Sequence, residues 1–506
     1  MGDAIQDSEA RRRERRVVLL LMAAYTVNSM DRSIVSIVGQ SMKMDLGLSD
    51  TQLGLLGGTA FALLYAFGGI PAGRLAERVS RVNLLSVALL LWSSLTMLCA
   101  MAASFAQLLL IRVGVGVAES GCSPPSHSLI SDTIEPSRRA SALSVYTCGI
   151  SLGYILVAVV GGYVTQHVGW RAACVAVGLP GIVVAVLIKL LIDEPARGAS
   201  ECKAEAGIDP AHVSLPRFSL RAEITELSHV AHTLLGDARY LHVVAGLTLQ
   251  AFAAYGLYAF MPLYLRRSFG LEYSTVGWLS AAAGGVAVGM GILAGGYLAD
   301  RLNRRLGAVA ATRQTRWYAL VPAIGGTLSI PLYVMALWDR DWLRATGWLA
   351  AAGFFQYTCL GPTFGVVQNA VPPQRRATAT ALLYICLNVV ALGGGPLFAG
   401  WVIDRAAESQ FQATVVTSAA NHAAGTMTAG AASFHQQCPG GGAPTDASSG
   451  LQARCHSALA MGTQHGLLVT LAFFAWAAFH YFLAALRMSS PPASGLAQPS
   501  GQRAAG

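Results

Sequence analysis

Gly73–Arg81 reads GRLAERVSR and Gly296–Arg304 reads GYLADRLNR. Each closes a long apolar run, carries a carboxylate four residues after its glycine, and ends in arginine. Working outward, Gly47-Leu48, Thr51 and Gly54 stand to Gly270-Leu271, Ser274 and Gly277 at the same offset of 223 residues. A second match, at an offset of 237, sets Pro125, Pro136, Arg138-Arg139 and Ala140-Ser141-Ala142 against Pro362, Pro373, Arg375-Arg376 and Ala377-Thr378-Ala379. Two matches in the same order mark a duplicated unit.

What is duplicated follows from composition. Of 506 residues, 54% are hydrophobic and 12% charged, where soluble domains carry about a quarter charged residues. Apolar runs of about 20 residues recur, the length that crosses a bilayer as a helix. The ten-residue alternating segments of a membrane β-barrel are absent. The expected fold is an all-α membrane protein of about 12 transmembrane helices in two pseudo-symmetric six-helix bundles. Spans are expected at 17–40, 51–73, 82–102, 105–130, 140–164 and 170–192, then 240–265, 274–298, 316–337, 343–370, 377–403 and 461–487. These give a basic cytoplasmic N-terminus (1–16), a first bundle (17–192), a cytoplasmic linker (193–239) and a second bundle (240–487). A long extracytoplasmic loop at 405–460 interrupts the second bundle, and a disordered cytoplasmic tail (488–506) ends the chain.

The net charge of +9 does not point to nucleic acid. Arginines cluster at Arg11–Arg16, Arg74–Arg81, Arg138-Arg139, Arg301–Arg316 and Arg375-Arg376, after every second span, which is the positive-inside pattern. A multi-pass protein of the inner (cytoplasmic) membrane follows, with both termini cytoplasmic. The first apolar segment is too long for a cleaved signal peptide. Cys438 and Cys455 share the long loop, where an oxidising compartment would let them pair. His422, His435, His456 and His465 have no ligand-like spacing, so no metal and no cofactor is expected.

The charged residues inside spans carry the functional reading. Arg112 and Glu119 lie seven apart in IRVGVGVAES, on one helical face. Asp31 and Arg32 sit in the first span, with Asn28 and Ser36 on the Arg32 face. Each buried charge costs roughly 2.5–3.5 kcal/mol, about 10–14 kcal/mol for four unpaired ones, so they must pair or face water. The four sum to zero with both carboxylates ionised and to +2 with both protonated, and arginine does not deprotonate. Asp31 and Glu119 are therefore the proton-coupling candidates, against the alternative of a static ion-pair staple. Arg32, Arg112 and Asn28 are candidates for binding an anionic head group. The second half offers no matching charge but aromatic and amide side chains, among them Tyr255, Tyr258, Gln356, Tyr357 and Asn388. A cavity charged on one side and aromatic on the other suits an amphipathic substrate. Glu77, Arg78, Asp300, Arg301, Arg138 and Arg375 sit in the short connections and are candidates for conformational gating.

The Gly-x-x-x-(Asp/Glu)-Arg-x-x-Arg loops resemble the signature of the major facilitator superfamily, with Glu77 for Asp and Ser80 for the usual Gly in the first copy. The family's antiporter Gly-Pro of span five is replaced by Val157-Ala158. More narrowly, Asn28–Arg32, Leu46–Gly54, Arg112–Ser120 and Ser123–Asp132 resemble the spinster subgroup, here a bacterial member. Its animal members are associated with export of sphingosine-1-phosphate and lysophospholipids. The resemblance implies that Asp31, Arg32, Arg112 and Glu119 form the coupling and substrate cluster. A monomeric proton-coupled transporter is then expected, surrounded by membrane lipids and exporting a lysophospholipid-like anion by alternating access. Uptake of a small organic anion by proton symport is the alternative. An enzyme is not expected: no HExxH, Gly-x-Ser-x-Gly or Walker loop occurs, and no catalytic residue is assigned.

Overall fold

The computed structural model describes residues 2–135, 138–196, 236–307, 316–369, 376–421 and 433–488, with isolated linker positions 225, 228, 231 and 232. Helical rods follow one another in the order the apolar runs dictate. In the first half they are α1 (Gly2–Leu46), α2 (50–78), α3 (Arg81–Leu98), α4 (105–133), α5 (139–167) and α6 (Trp170–Leu191). The second half holds α7 (Ala238–Phe269), α8 (273–307), α9 (Trp317–Trp338), α10 (342–369), α11 (376–421) and α12 (449–488). Among the described residues ten helices are long and apolar enough to cross a membrane; α1 and α10 fall outside that measure, and α1 carries the charges of the expected site.

Local chemistry sets the rod ends. Gly47, Gly169 and Gly270 take positive φ (64°, 105° and 66°) just after a helix or just before the next, a conformation that is cheap only for glycine. Ser49 starts α2 with a capping box: its hydroxyl accepts from Gln52 N–H while Gln52 Oε1 accepts from Ser49 N–H. Asp237, Ser104 and Asp341 cap α7, α4 and α10 by accepting from the N–H groups of Arg239, Gln107 and Arg344. Four rods contain a π turn: Leu55–Thr59 in α2, Val157–Gly161 in α5, Ala281–Ala287 in α8 and Cys386–Leu392 in α11.

Several boundaries differ from those read in sequence. The first helix runs through the basic N-terminus as one element of 45 residues. The fourth rod is broken at 120–122, because Pro124 and Pro125 supply no backbone N–H. The 405–460 loop is largely helical: α11 continues to Asn421 and α12 begins at Ser449, since 405–421 holds neither Gly nor Pro and buries Ala407 and Phe411. The linker reading for 197–224 and the tail reading for 489–506 lie outside the described residues.

Arg16, Arg81, Asp193 and Met488 mark the near end of the bundle, and Asp50, Phe269, Asp341 and Ser433 the far end. The halves meet where α2 packs on α11 and α5 on α8. A Cβ on Gly58 would lie 2.6 Å from the Leu392 carbonyl oxygen, and one on Gly162 would lie 2.6 Å from that of Tyr273. Only glycine lets the backbones approach so closely.

Candidate functional site

The four charges converge. Glu119, fully buried, accepts at Oε2 from Asn28 Nδ2 (2.7 Å) and Arg32 Nε (2.9 Å). The two residues of the adjacent pair part company, as neighbours about 100° apart on a helix must. Arg32 keeps 27% of its side chain exposed, whereas Asp31 is fully buried. Arg112 turns to main chain rather than to a carboxylate, donating to the carbonyl oxygens of Asp31 (3.1 Å) and Leu56 (3.5 Å). Leu56 lies in the α2 π turn, whose wider spiral misaligns carbonyls from the regular ladder. Neither Asp31 carboxylate oxygen has a hydrogen-bonding partner among the described residues, and the same holds for Glu119 Oε1 and one terminal nitrogen each on Arg32 and Arg112.

Around Arg32 stands an aromatic enclosure that the sequence reading largely missed. Its guanidinium lies 4.2 Å from the Tyr65 ring centre and 4.8 Å from that of Phe61, within cation–π range. Tyr25, Tyr255 and Tyr384 are also within its electrostatic reach. Phe61 and Tyr65 are four apart on α2, a spacing that could have marked them as one face. Tyr25 stacks on Tyr146 with centres 4.5 Å apart, and His127 meets Tyr146 edge-on.

Beside this enclosure a narrow cavity of about 60 Å³ opens into the second half, lined by Tyr154, Leu257, Tyr258, Met261, Gln356 and Tyr357 among others. At its mouth the Tyr258 hydroxyl lies 3.0 Å from Ser33 Oγ, and the Tyr154 and Tyr258 rings are 4.4 Å apart. Gln356 is held within its own half: Tyr333 donates to its side-chain oxygen and Gln250 to its carbonyl. Asn388 is half-buried on the α11 π turn. Among the described residues no three metal-ligating side chains converge.

The far end is closed by a network absent from the sequence reading. Asp50, fully buried, pairs with Lys43 Nζ (2.6 Å) and takes both terminal nitrogens of Arg267 (2.6 and 3.2 Å) from the other half. Arg267 also donates to Gln40 (2.7 Å) and Thr463 (2.9 Å). Asp404 of α11 caps α2 across the interface, accepting from Asp50 N (3.0 Å), Thr51 N (2.7 Å) and Thr51 Oγ1 (2.6 Å). Further from the ion network, Thr59 Oγ1 donates to the Gly393 carbonyl and Tyr273 N to Gln166. These charges sit at span ends, where sequence cannot separate a gate from an orientation signal.

The expected gating residues occupy the near end and bond within their own half. Arg138 pairs with Glu14 (2.9 Å), Asp300 accepts from Tyr318 (2.6 Å) and Arg301 donates to Tyr297 (3.1 Å). Arg78 is exposed. The Glu77 side chain and Arg375 lie outside the described residues.

A family model described as Major Facilitator Superfamily matches residues 21–396. A protein named MFS-type efflux pump from Mycolicibacterium smegmatis is 31% identical over 398 residues, covering 79% of this chain and 86% of the relative. A hexuronate transporter of Bacillus subtilis is 25% identical over 77% of this chain and 88% of its own length. Among solved structures, a bacterial homolog of the human lysosomal transporter Spinster, inward-facing and unoccupied, superposes with a TM-score of 0.77 at 28% identity. The match covers 95% of this chain and 99% of that one.

Proposed function

This chain belongs to the Major Facilitator Superfamily, and from that premise we propose that it is a proton-coupled transporter exporting an anionic single-chain amphiphile of the lysophospholipid or sphingosine-1-phosphate type. The observation that carries the reading is one juxtaposition. Arg32 is partly exposed and held by a buried carboxylate, and its neighbour Ser33 meets Tyr258 in the wall of an apolar cavity. Arg32 would take the anionic head group, with Tyr65 and Phe61 fixing its plane, and the apolar cavity between Tyr258 and Met261 would widen to take the hydrocarbon tail.

The hydrogen bonds suggest how a proton would couple. Protonating Glu119 would neutralise the charge that holds Arg32 and free the guanidinium for an anion, so proton and anion would bind together and export would be driven by the substrate's own gradient. Protonating Asp31 would break no ion pair, the Thr96 hydroxyl being its nearest polar side-chain neighbour. Arg112 donates to the backbone beside Asp31 and keeps a positive charge near the carboxylate whichever state it takes. The closed far end and the self-contained near-end pairs fit one half-cycle of alternating access, with the cavity accessible from the near end. On the positive-inside rule the near end is cytoplasmic and the membrane is the inner one. Closing the near end would then fall to Glu77, Arg78, Arg138, Asp300, Arg301 and Arg375.

The test is flux of a fluorescent lysophospholipid in proteoliposomes with imposed pH gradients of either sign. The wild type is expected to move lipid from the near-end face with gradient-dependent rate, and Glu119→Gln and Asp31→Asn to lose that dependence while keeping the melting profile. Full gradient dependence in both variants would refute the proton role. Transport of hexuronate but no lysolipid would refute the substrate class.

A further inference from the structure

The segment 433–448, between α11 and α12, is a compact strap rather than a loose loop. Cys438 and Cys455 are joined by a disulfide with Cα atoms 5.8 Å apart, and both are fully buried. They pack with Ala407, Phe411, Phe434, Ala458 and Leu459 in a small apolar core of their own. Glu408 accepts from Phe434 N–H (2.8 Å), and Ser433 and Gln436 close a capping box. All these contacts tie the strap to the second half.

Its tip reaches the first half. Gly440 and Gly441 take positive φ (65° and 85°), and a Cβ on Gly440 would lie 2.6 Å from the Lys43 carbonyl oxygen and 3.0 Å from Met44 Cα. One on Gly441 would lie 3.3 Å from Lys43 Cε. The strap thus lies against the Lys43 side chain, whose ammonium pairs with Asp50 and is fully buried. On the other flank His435 Nε2 stands 3.7 Å from Asp404 Oδ1, the carboxylate that caps α2 across the interface.

Position and chemistry here point one way. Ion pairs are weak in water and strong where water is excluded. A lid whose glycine tip is uncharged, laid over Lys43 of the Lys43–Asp50–Arg267 network, raises the cost of separating the halves at the far end. We propose that the disulfide-braced strap is a latch: by covering this network it biases the transporter toward the far-closed state, and its bracing makes that bias sensitive to thiol oxidation state. The disulfide keeps the glycine tip pressed on α1, and the two glycines are what allow backbone to lie so close to Lys43.

The latch is tested on the full chain in nanodiscs, independently of substrate or proton coupling. Leu263 is buried where the halves meet near Gly39 and Leu53, so Leu263→Cys reports far-end opening by its maleimide labelling rate. Cys148 and Cys386, the free cysteines not fully buried among the described residues, and Cys202 are replaced by Ala in the reporter background. With the strap intact labelling is expected to be slow. Cys438→Ser/Cys455→Ser should accelerate it several-fold, and Gly440→Leu, which forces the tip off Lys43 with the disulfide intact, should do the same. Circular dichroism and gel filtration of each variant separate gate opening from unfolding. Unchanged labelling in both variants, in folded protein, would overturn the latch. Acceleration in Gly440→Leu alone would overturn the thiol dependence and keep the lid.

Discussion

Replacing Arg267 with Gln should shift the balance between far-closed and far-open states by about two orders of magnitude. In the closed state Arg267 holds both oxygens of Asp50, at 2.6 and 3.2 Å, and also binds Gln40 and Thr463. Removing one partner of a buried ion pair costs about 3–5 kcal/mol. Asp50 keeps Lys43 at 2.6 Å, so the lower end applies, about 3 kcal/mol. At about 1.4 kcal/mol per tenfold, that is roughly 100-fold. In the far-open state these groups are hydrated, so the loss falls on the closed state alone. A minor state at about 1% would rise to near parity. Electron–electron distance measurement between spin labels at exposed positions 103 and 340, one far-end connection from each half, reads the populations directly. Arg267→Gln should add a long-distance component to the single short one. Arg266→Gln is the control: its guanidinium stays within the second half, over the Tyr273 ring and on the Leu271 carbonyl. A distance distribution for Arg267→Gln that superposes on the wild type would refute the reasoning.

Gly54→Val should lower the melting temperature, because its Cβ would come within 3 Å of Pro396 and Leu397 backbone, and such overpacking costs about 1–3 kcal/mol. Tyr65→Leu should weaken binding of an anionic lysolipid about fivefold in a tryptophan-quenching titration, the equivalent of a cation–π contact of about 1 kcal/mol. Leaving affinity unchanged would remove Tyr65 from the head-group site. At the near end, burial pushes the Glu194 carboxyl up, but hydrogen bonds from Val82 N–H, Arg81 and Ser80 outweigh it and hold it below the usual range. A depressed folded value contributes stability above the unfolded value and loses it as pH falls through the folded one. The melting difference between wild type and Glu194→Gln should therefore persist down to about pH 4.3, the ordinary glutamate value, and vanish below it.

Sequence carried the rods and their duplication because both rest on long-range regularity: apolar runs of span length and glycine–arginine loops at fixed offsets. It also carried the convergence of Arg32 with Glu119, since isolated opposite charges in apolar helices have few ways to avoid desolvation cost. What it could not carry was which partner each charge takes. Arg112 spends its donors on carbonyls near a π turn, and no residue pattern in LLGGT distinguishes a π turn from an ordinary one. Asp50, Lys43, Arg267 and Asp404 were invisible for another reason. A charge at a span end costs little to leave in water, so nothing in the sequence demanded that they pair. Only the packing of α2 on α11, through Gly54 and Gly58, brings Asp404 to the α2 N-terminus.

The π turns show why duplication and asymmetry coexist. They occur in α2, α5, α8 and α11, the helices whose small residues form the contact between halves. Gly58 meets the Leu392 carbonyl, Gly277 meets that of Ala158, and Gly284 and Gly285 meet Tyr154 and Ile155. A helix with one extra residue per turn has a locally interrupted ladder and bends more readily there, so the same device sits at both joints about which the halves would rock. Joints must work alike on both sides of the interface, and the repeat keeps them alike. On the proposed reading the charged cluster has no such constraint, for one proton-binding group would suffice to bias a two-state bundle. A second copy would add roughly 10–14 kcal/mol of desolvation to be offset by pairing. In the second half Ala254 and Tyr255 stand where the first has Asp31 and Arg32, which leaves room there for an apolar void instead.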